Sequence, residues 1–271
     1  MSRFDRIRRL DGASNQALEG ALGAVILAGV GVLVVAAVRP SVRTTAFPAW
    51  VALALGCQLL VVAGVVERTR RRGEDVRLTA ATHLTVSRTA LLALLIGVVA
   101  AVPESTAWVA GGLFGAAVIL DGLDGAVARR RDDETVLGAR LDRDVDGLTT
   151  LVGAGAAVAV GAAPTAFLAV GLARYGFVLG CWWRRRRGRR VRDLPPNRLR
   201  APLSVLVLVA IWVALVPPVP DAWTAVIASA VAGPFLANFA WDWLAVTGRL
   251  SRLSRSSTPR EDGEAVARED D

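Results

Sequence analysis

Eight apolar stretches divide this chain of 271 residues, at 17–38, 46–66, 84–103, 107–128, 141–162, 165–183, 201–217 and 222–246. Each is close to the length of about 20 residues that an α-helix needs to cross a bilayer. Together they take up about 160 residues, leaving roughly 110 for both tails and the loops. That remainder is too small and too scattered to bury a soluble core. The pattern excludes a water-soluble globule. It also excludes a membrane anchor carrying a separate soluble enzyme. It predicts an all-α integral membrane protein of about eight transmembrane helices, in which any chemistry falls to the helices and their short connections.

The charge distribution orients these spans. The 32 basic residues are all Arg, and the formal net charge is +8. Such an excess can signal nucleic-acid binding, but here the arginines fall in alternate loops. Arg3, Arg6, Arg8 and Arg9 precede the first span, and Arg68, Arg70, Arg71, Arg72 and Arg77 follow the second. Arg129 to Arg131 follow the fourth, Arg184 to Arg187 with Arg189, Arg190 and Arg192 the sixth, and Arg249, Arg252 and Arg255 the eighth. The loops at 104–106, 163–164 and 218–221 have none, and Arg39 with Arg43 is a mild exception. The positive-inside rule then puts both termini and the even-numbered helix ends in the cytoplasm of a multi-pass cell-membrane protein, with no nucleic-acid partner. Trp50, Trp108 and Trp223 fall at outer ends, and Trp182, Trp183, Trp241 and Trp243 at inner ends, as an aromatic belt would. Cys57 and Cys181 lack metal or disulfide spacing and read as packing residues. The polar tail at 248–271 reads as disordered.

Ionisable groups on spanning helices are costly and mark functional sites. The fourth span ends Asp121-Gly122-Leu123-Asp124-Gly125-Ala126-Val127-Ala128-Arg129. At 100° per residue, Asp121, Asp124, Gly125 and Ala128 fall within about 100° of arc. Two carboxylates thus share a face with two small residues, which permit close approach of a ligand or helix. In the fifth span Gly138, Asp142 and Asp146 recur every fourth residue and line one stripe. Asp144 lies on roughly the opposite side, outside the cluster. A short loop joins the two helices, so they are expected as antiparallel neighbours with their Asp faces meeting at the cytoplasmic membrane edge. Four carboxylates at low dielectric repel one another and call for cations. All-oxygen ligands favour Mg2+ or Mn2+ over Zn2+, and one or two such ions suit the clamping of a diphosphate. Pairing with Arg129, Arg140 or Arg143 would account for one or two of the acids but not for four. A divalent-cation transporter, which also uses intramembrane acids, and a non-catalytic membrane scaffold stand as alternatives.

The run Asp121-x2-Asp124-Gly125-x2-Ala128-Arg129-x8-Gly138-x3-Asp142-x3-Asp146 resembles the signature of the CDP-alcohol phosphotransferases (CDP-alcohol phosphatidyltransferases), with all eight positions filled at the family's spacing. The resemblance implies a six-helix catalytic core over 79–247, preceded by a basic segment and two additional helices over 1–78. It implies that Asp121, Asp124, Asp142 and Asp146 bind Mg2+ or Mn2+, as two ions, and that Asp146 is also the general base on the acceptor hydroxyl. Gly125, Ala128, Arg129, Thr135 and Gly138 would contact the CDP moiety. A further family element, Asn-x-x-Thr-x-x-Arg, is matched in part by Thr82-His83-Leu84-Thr85-Val86-Ser87-Arg88. Thr85 and Arg88 are kept for the CDP moiety, and Thr82 stands where Asn is usual. The implied reaction moves a phosphatidyl group from a CDP-alcohol, with CDP-diacylglycerol the best-fitting donor, to a small or lipid alcohol, releasing CMP in phospholipid biosynthesis. Membrane lipids surround such an enzyme, and a homodimer is an open assembly.

Arg174, beside Tyr175, lies well inside the sixth span, beyond the reach of the positive-inside rule. Two readings compete: it holds an anionic acceptor or a site carboxylate, or it snorkels or pairs with an unrelated acid. His83 reads as polar packing and Asp242 as the partner of an interfacial Arg. Arg198 and Arg200 stand in a rigid loop that can face the mouth of the site.

Overall fold

The computed structural model describes residues 3–38, 46–74, 76–77, 79–101, 107–131, 135–217 and 219–249, and the side chains among these except at 3–18, 80–81, 107, 124–131 and 221. Eight α-helices run through the described residues, which hold no strand. They are α1 (Arg3–Val38), α2 (Ala46–Arg71), α3 (Ala80–Ala101), α4 (Ala107–Arg131), α5 (Val136–Ala159), α6 (Leu168–Arg186), α7 (Arg200–Leu215) and α8 (Asp221–Thr247). A single 3-10 turn, Thr165–Phe167, leads into α6. Most helices run past their apolar spans at polar ends, because backbone hydrogen bonding continues where the apolar surface stops. α1 begins in the Arg-rich N-terminal segment and α2 runs to Arg71. The polar tail beyond 249 lies outside the described residues.

Five helical segments are long and apolar enough to cross a membrane: Glu19–Val38, Ala46–Arg71, Thr82–Ala101, Thr165–Arg186 and Ala222–Thr247. Trp108–Leu123 and Arg200–Leu215 are shorter apolar helices. α5 joins neither group, and its sequence explains why: Arg140, Asp142, Arg143, Asp144 and Asp146 crowd its first half. The chain is a multi-pass helical membrane protein, and α5, with its charged first half, carries half of the acid motif.

α3 is the hub. It packs on α1, α2, α4 and α5. One buried core joins Ala24 and Ala28 of α1, Phe47 and Val51 of α2, and Leu94 and Val98 of α3. A second joins Phe114 of α4, Ala154 and Ala157 of α5, Ile211 and Leu215 of α7, and Phe235 of α8. The two N-terminal helices therefore cover one flank of α3. α4 and α5, expected as direct neighbours, touch each other little; α3 packs heavily on both.

Close helix approach depends on glycine at defined points. A Cβ at Gly171 of α6 would lie 2.8 Å from Leu151 Cα on α5. A Cβ at Gly153 would meet Phe114 at 2.4 Å and Ile211 at 2.7 Å. Backbone cannot swing aside as a side chain can, so Gly171 sets the α5–α6 spacing. Gly171→Leu is expected to destabilise the protein by about 1–3 kcal/mol, read as a lowered Tm in detergent micelles.

Polar ties hold α8 at both of its ends. Thr224 Oγ1 donates to Ala162 O at 2.8 Å. Arg200 at the start of α7 donates to both oxygens of Asp242 on α8, at 2.8 and 2.9 Å. Asp242 thus has the arginine partner expected for it.

Candidate active site

The site begins at the N-terminus of α5. Thr135 is extended (φ −116°, ψ 152°), and its Oγ1 accepts from the backbone N–H of Gly138 at 3.0 Å. This is a helix N-cap, which satisfies one of the orphan donors of the first turn. A Cβ at Gly138 would lie 3.0 Å from Thr135 Oγ1 and 3.4 Å from Thr82 Oγ1. Thr82 sits in the first turn of α3 and is 3.2 Å from Thr79 Oγ1. The glycine of the motif and the threonine of the partial α3 element therefore face each other where α3 and α5 start.

From that cap, the four-residue spacing carries Asp142 and Asp146 along one face of α5 toward Asp121 of α4. One oxygen from each of Asp121, Asp142 and Asp146 lies within 4.8 Å of the others. The side chains of Asp124, Gly125, Ala128 and Arg129 lie outside the described residues, although their backbone is helical within α4. The donor set is oxygen only and convergent, which fits a hard divalent ion such as Mg2+ or Mn2+.

Arg88 of α3 enters this cluster from beneath. Its side chain is 1% exposed, whereas those of Asp121, Asp142 and Asp146 are 30%, 46% and 49% exposed. Nη1 donates to Asp121 Oδ1 and lies 3.5 Å from Asp142 Oδ1. Nη2 donates to Asp146 Oδ1 at 3.0 Å and to Thr149 Oγ1 at 3.1 Å. A single buried guanidinium thus touches the three described acids of the motif. The family resemblance implies a nucleotide contact for Arg88; in the structure its guanidinium lies on the carboxylates. Thr149, which donates onward to Val145 O at 2.9 Å, had no sequence signal. Thr85 is buried on the same helix.

The other arginines are deployed elsewhere. Arg140 is paired with Glu74, Nη2 lying 2.9 Å from Oε1, and Nη1 donates to Thr69 at 3.1 Å. Its positive charge ties α5 to the end of α2 rather than to the acid cluster. Arg174 Nη2 donates to Asp144 Oδ1 at 2.9 Å. Asp144 is outside the acid cluster, as the helical wheel predicts, and its partner is the intramembrane arginine of α6. A Cβ at Gly147 would come within 2.5 Å of Arg174 Cδ, so Gly147 is what lets that side chain lie across α5.

Beside the acids lies a cavity of about 920 Å³. Asp121, Asp146, Arg143, Arg174 and Arg200 line its wall together with Leu208, Phe177, Phe235 and Phe239. It joins acids, cations and an apolar surface in one space, as a substrate with a charged head and an aliphatic tail requires. Arg200 reaches this cavity already paired with Asp242, whereas Arg198 does not line it.

Searches of curated proteins and of solved structures each return no match. A family model, CDP-alcohol phosphatidyltransferase, matches residues 78–237. That match takes in α3 to α7, most of α8, and Arg88, Asp121, Asp142 and Asp146 of the acid cluster. It covers more than half of the 271 residues. The chain belongs to the CDP-alcohol phosphatidyltransferase family.

Proposed function

We propose that this chain transfers the phosphatidyl group of CDP-diacylglycerol to the hydroxyl of an acceptor alcohol, releasing CMP, in phospholipid biosynthesis. The observation that carries the reading is the convergence of Asp121, Asp142 and Asp146 beside a cavity with both charged and apolar walls. A lipid donor can keep its tails against Phe177, Phe235 and Phe239 while its diphosphate meets the acids.

In this reading Asp121, Asp124, Asp142 and Asp146 would hold Mg2+ or Mn2+. A divalent ion bound there would neutralise the diphosphate and the departing phosphate of CMP. Asp146 takes the proton of the acceptor hydroxyl as that oxygen attacks the lipid-side phosphorus. The P–O bond to CMP breaks in line with the attack. Gly125, Ala128, Arg129, Thr135, Gly138 and Thr85 surround the CDP moiety, with Arg129 as a phosphate clamp. Thr135 contributes by fixing the α5 N-terminus through its cap. Residues 79–247 form the catalytic core, and 1–78 add two helices that brace α3. The site faces the cytoplasm of the cell membrane.

Arg174 is the acceptor contact in this reading. Asp144 holds it in place, and Gly147 lets it lie along the cavity wall. An acceptor bearing its own phosphate suits the cluster of Arg143, Arg174 and Arg200. Arg174→Gln is expected to raise the KM for the acceptor by about 10- to 100-fold, the worth of one charge-assisted hydrogen bond, with the KM for the donor little changed. Initial rates with each substrate varied in turn check this.

The reading as a whole is tested by incubating membranes that contain the chain with labelled CDP-diacylglycerol and, separately, glycerol phosphate, inositol phosphate, serine or a phospholipid alcohol. One acceptor is expected to give a new labelled phospholipid and CMP. No CMP from the lipid donor, with product formed instead from a soluble CDP-alcohol and a lipid acceptor, would overturn the choice of donor.

A further inference from the structure

We propose that Arg88 is a built-in counter-ion that holds the acid cluster together before a divalent ion arrives, and that ion and guanidinium then compete for the same carboxylates. The proposal rests on the reading of those acids as a metal site, but it assigns Arg88 a role other than contact with nucleotide.

The observation is positional. Arg88 is the most enclosed charged group among the described residues, at 1% exposure, and among them it is the cation that touches Asp121, Asp142 and Asp146 together. These acids come from two helices that pack little on each other. What joins them is α3, and the part of α3 that touches the carboxylates is this side chain. Three carboxylates gathered at the membrane edge without a cation would spread apart. The guanidinium supplies that charge from the buried side, with two nitrogens in a planar fork that reaches acids on both helices. It approaches from the buried side, while the three carboxylates keep 30%, 46% and 49% of their side-chain surface exposed.

Charge then dictates the coupling. A divalent ion among the same oxygens removes the need for Arg88 and is repelled by it. Arg88 therefore stabilises the ion-free protein more than the ion-bound one, and by linkage it must weaken ion binding. The apparent cost is functional sense: the acids stay assembled through cycles in which ions and diphosphate leave together. Arg88 is thus a positioning residue for the ligands, acting through the carboxylates it holds.

The test compares the full-length wild type, Arg88→Gln and Arg88→Lys in nanodiscs. Mn2+ binding is read by electron paramagnetic resonance, and Tm is read in EDTA and in saturating Mn2+. Arg88→Gln is expected to have a lower Tm than wild type in EDTA and to regain most of the difference in Mn2+. Its Mn2+ Kd should be tighter by about tenfold or more, the direction that removing a nearby positive charge dictates. Arg88→Lys, which keeps the charge and loses the fork, should bind Mn2+ close to wild type and lose part of the EDTA stability. If Arg88→Gln is too unstable in EDTA, it is purified in Mn2+ and its Kd measured by competition with a chelator. An equal drop in Tm with and without Mn2+, and an unchanged or weaker Kd, would overturn the proposal and leave Arg88 a purely structural residue. Wild type that binds no Mn2+ at all would overturn the metal-site reading itself, and this inference with it.

Discussion

Asp146→Asn is expected to lower CMP release by on the order of 100- to 10,000-fold, the usual worth of a general base. The substitution keeps the shape of the side chain. It keeps one carbonyl oxygen to accept from Arg88 Nη2, now 3.0 Å from Oδ1. The fold should therefore survive, and Tm should change far less than the rate. The loss is specific to proton removal: Asn cannot accept the acceptor's proton. The check is a rate of CMP release beside a melting curve on the same preparation. Full activity in a folded variant would remove Asp146 from the role of base and shift attention to Asp121 or Asp142.

Removing divalent ions should have a comparable effect. With EDTA the rate is expected to fall by on the order of a thousandfold, since several kcal/mol of charge stabilisation are lost. Added Mg2+ or Mn2+ should restore it. Asp142→Asn should mimic chelation and resist rescue, because the missing ligand cannot be replaced from solution. A titration of rate against free Mg2+ for wild type and Asp142→Asn distinguishes a lost ligand from a lost fold. A rate indifferent to EDTA would mean that the acids are satisfied by Arg88 alone and work without a metal.

Much of the site could be read from spacing, because the relevant geometry is local. Asp142 and Asp146 share a face for the same reason that Gly138 does: four residues are close to one helical turn. The same arithmetic sends Asp144 to the other side, where it meets Arg174. Asp242 could be assigned an arginine because it stands near the inner end of the last span, where arginines gather, and Arg200 provides it.

What could not be read is tertiary. Nothing local to Thr85-Val86-Ser87-Arg88 says that the arginine points at acids 33 and 58 residues away in sequence. Likewise Glu74 lies in an unremarkable polar loop, yet it takes up the charge of Arg140 and keeps that arginine off the acid cluster. The expected pairing of α4 with α5 followed from their short connection. It missed that α3, earlier in the chain, packs on both and is the main neighbour of α4. Helix ends were also blurred, since hydropathy marks where the bilayer is crossed and not where hydrogen bonding ends. α1 and α2 show this at their Arg-rich termini.

The central claim is that the acids of α4 and α5 are where a CDP-alcohol is joined to an acceptor. The most direct test is the stoichiometry of the reaction by the purified chain in nanodiscs containing CDP-diacylglycerol, with Mg2+ or Mn2+ and the acceptor under study. CMP and phospholipid product are quantified together by mass spectrometry. The account predicts one CMP for each new phosphodiester, with both dependent on acceptor and both lost in EDTA. Divalent-ion flux across proteoliposomes without nucleotide, and no acceptor-dependent CMP from any CDP-alcohol, would contradict it.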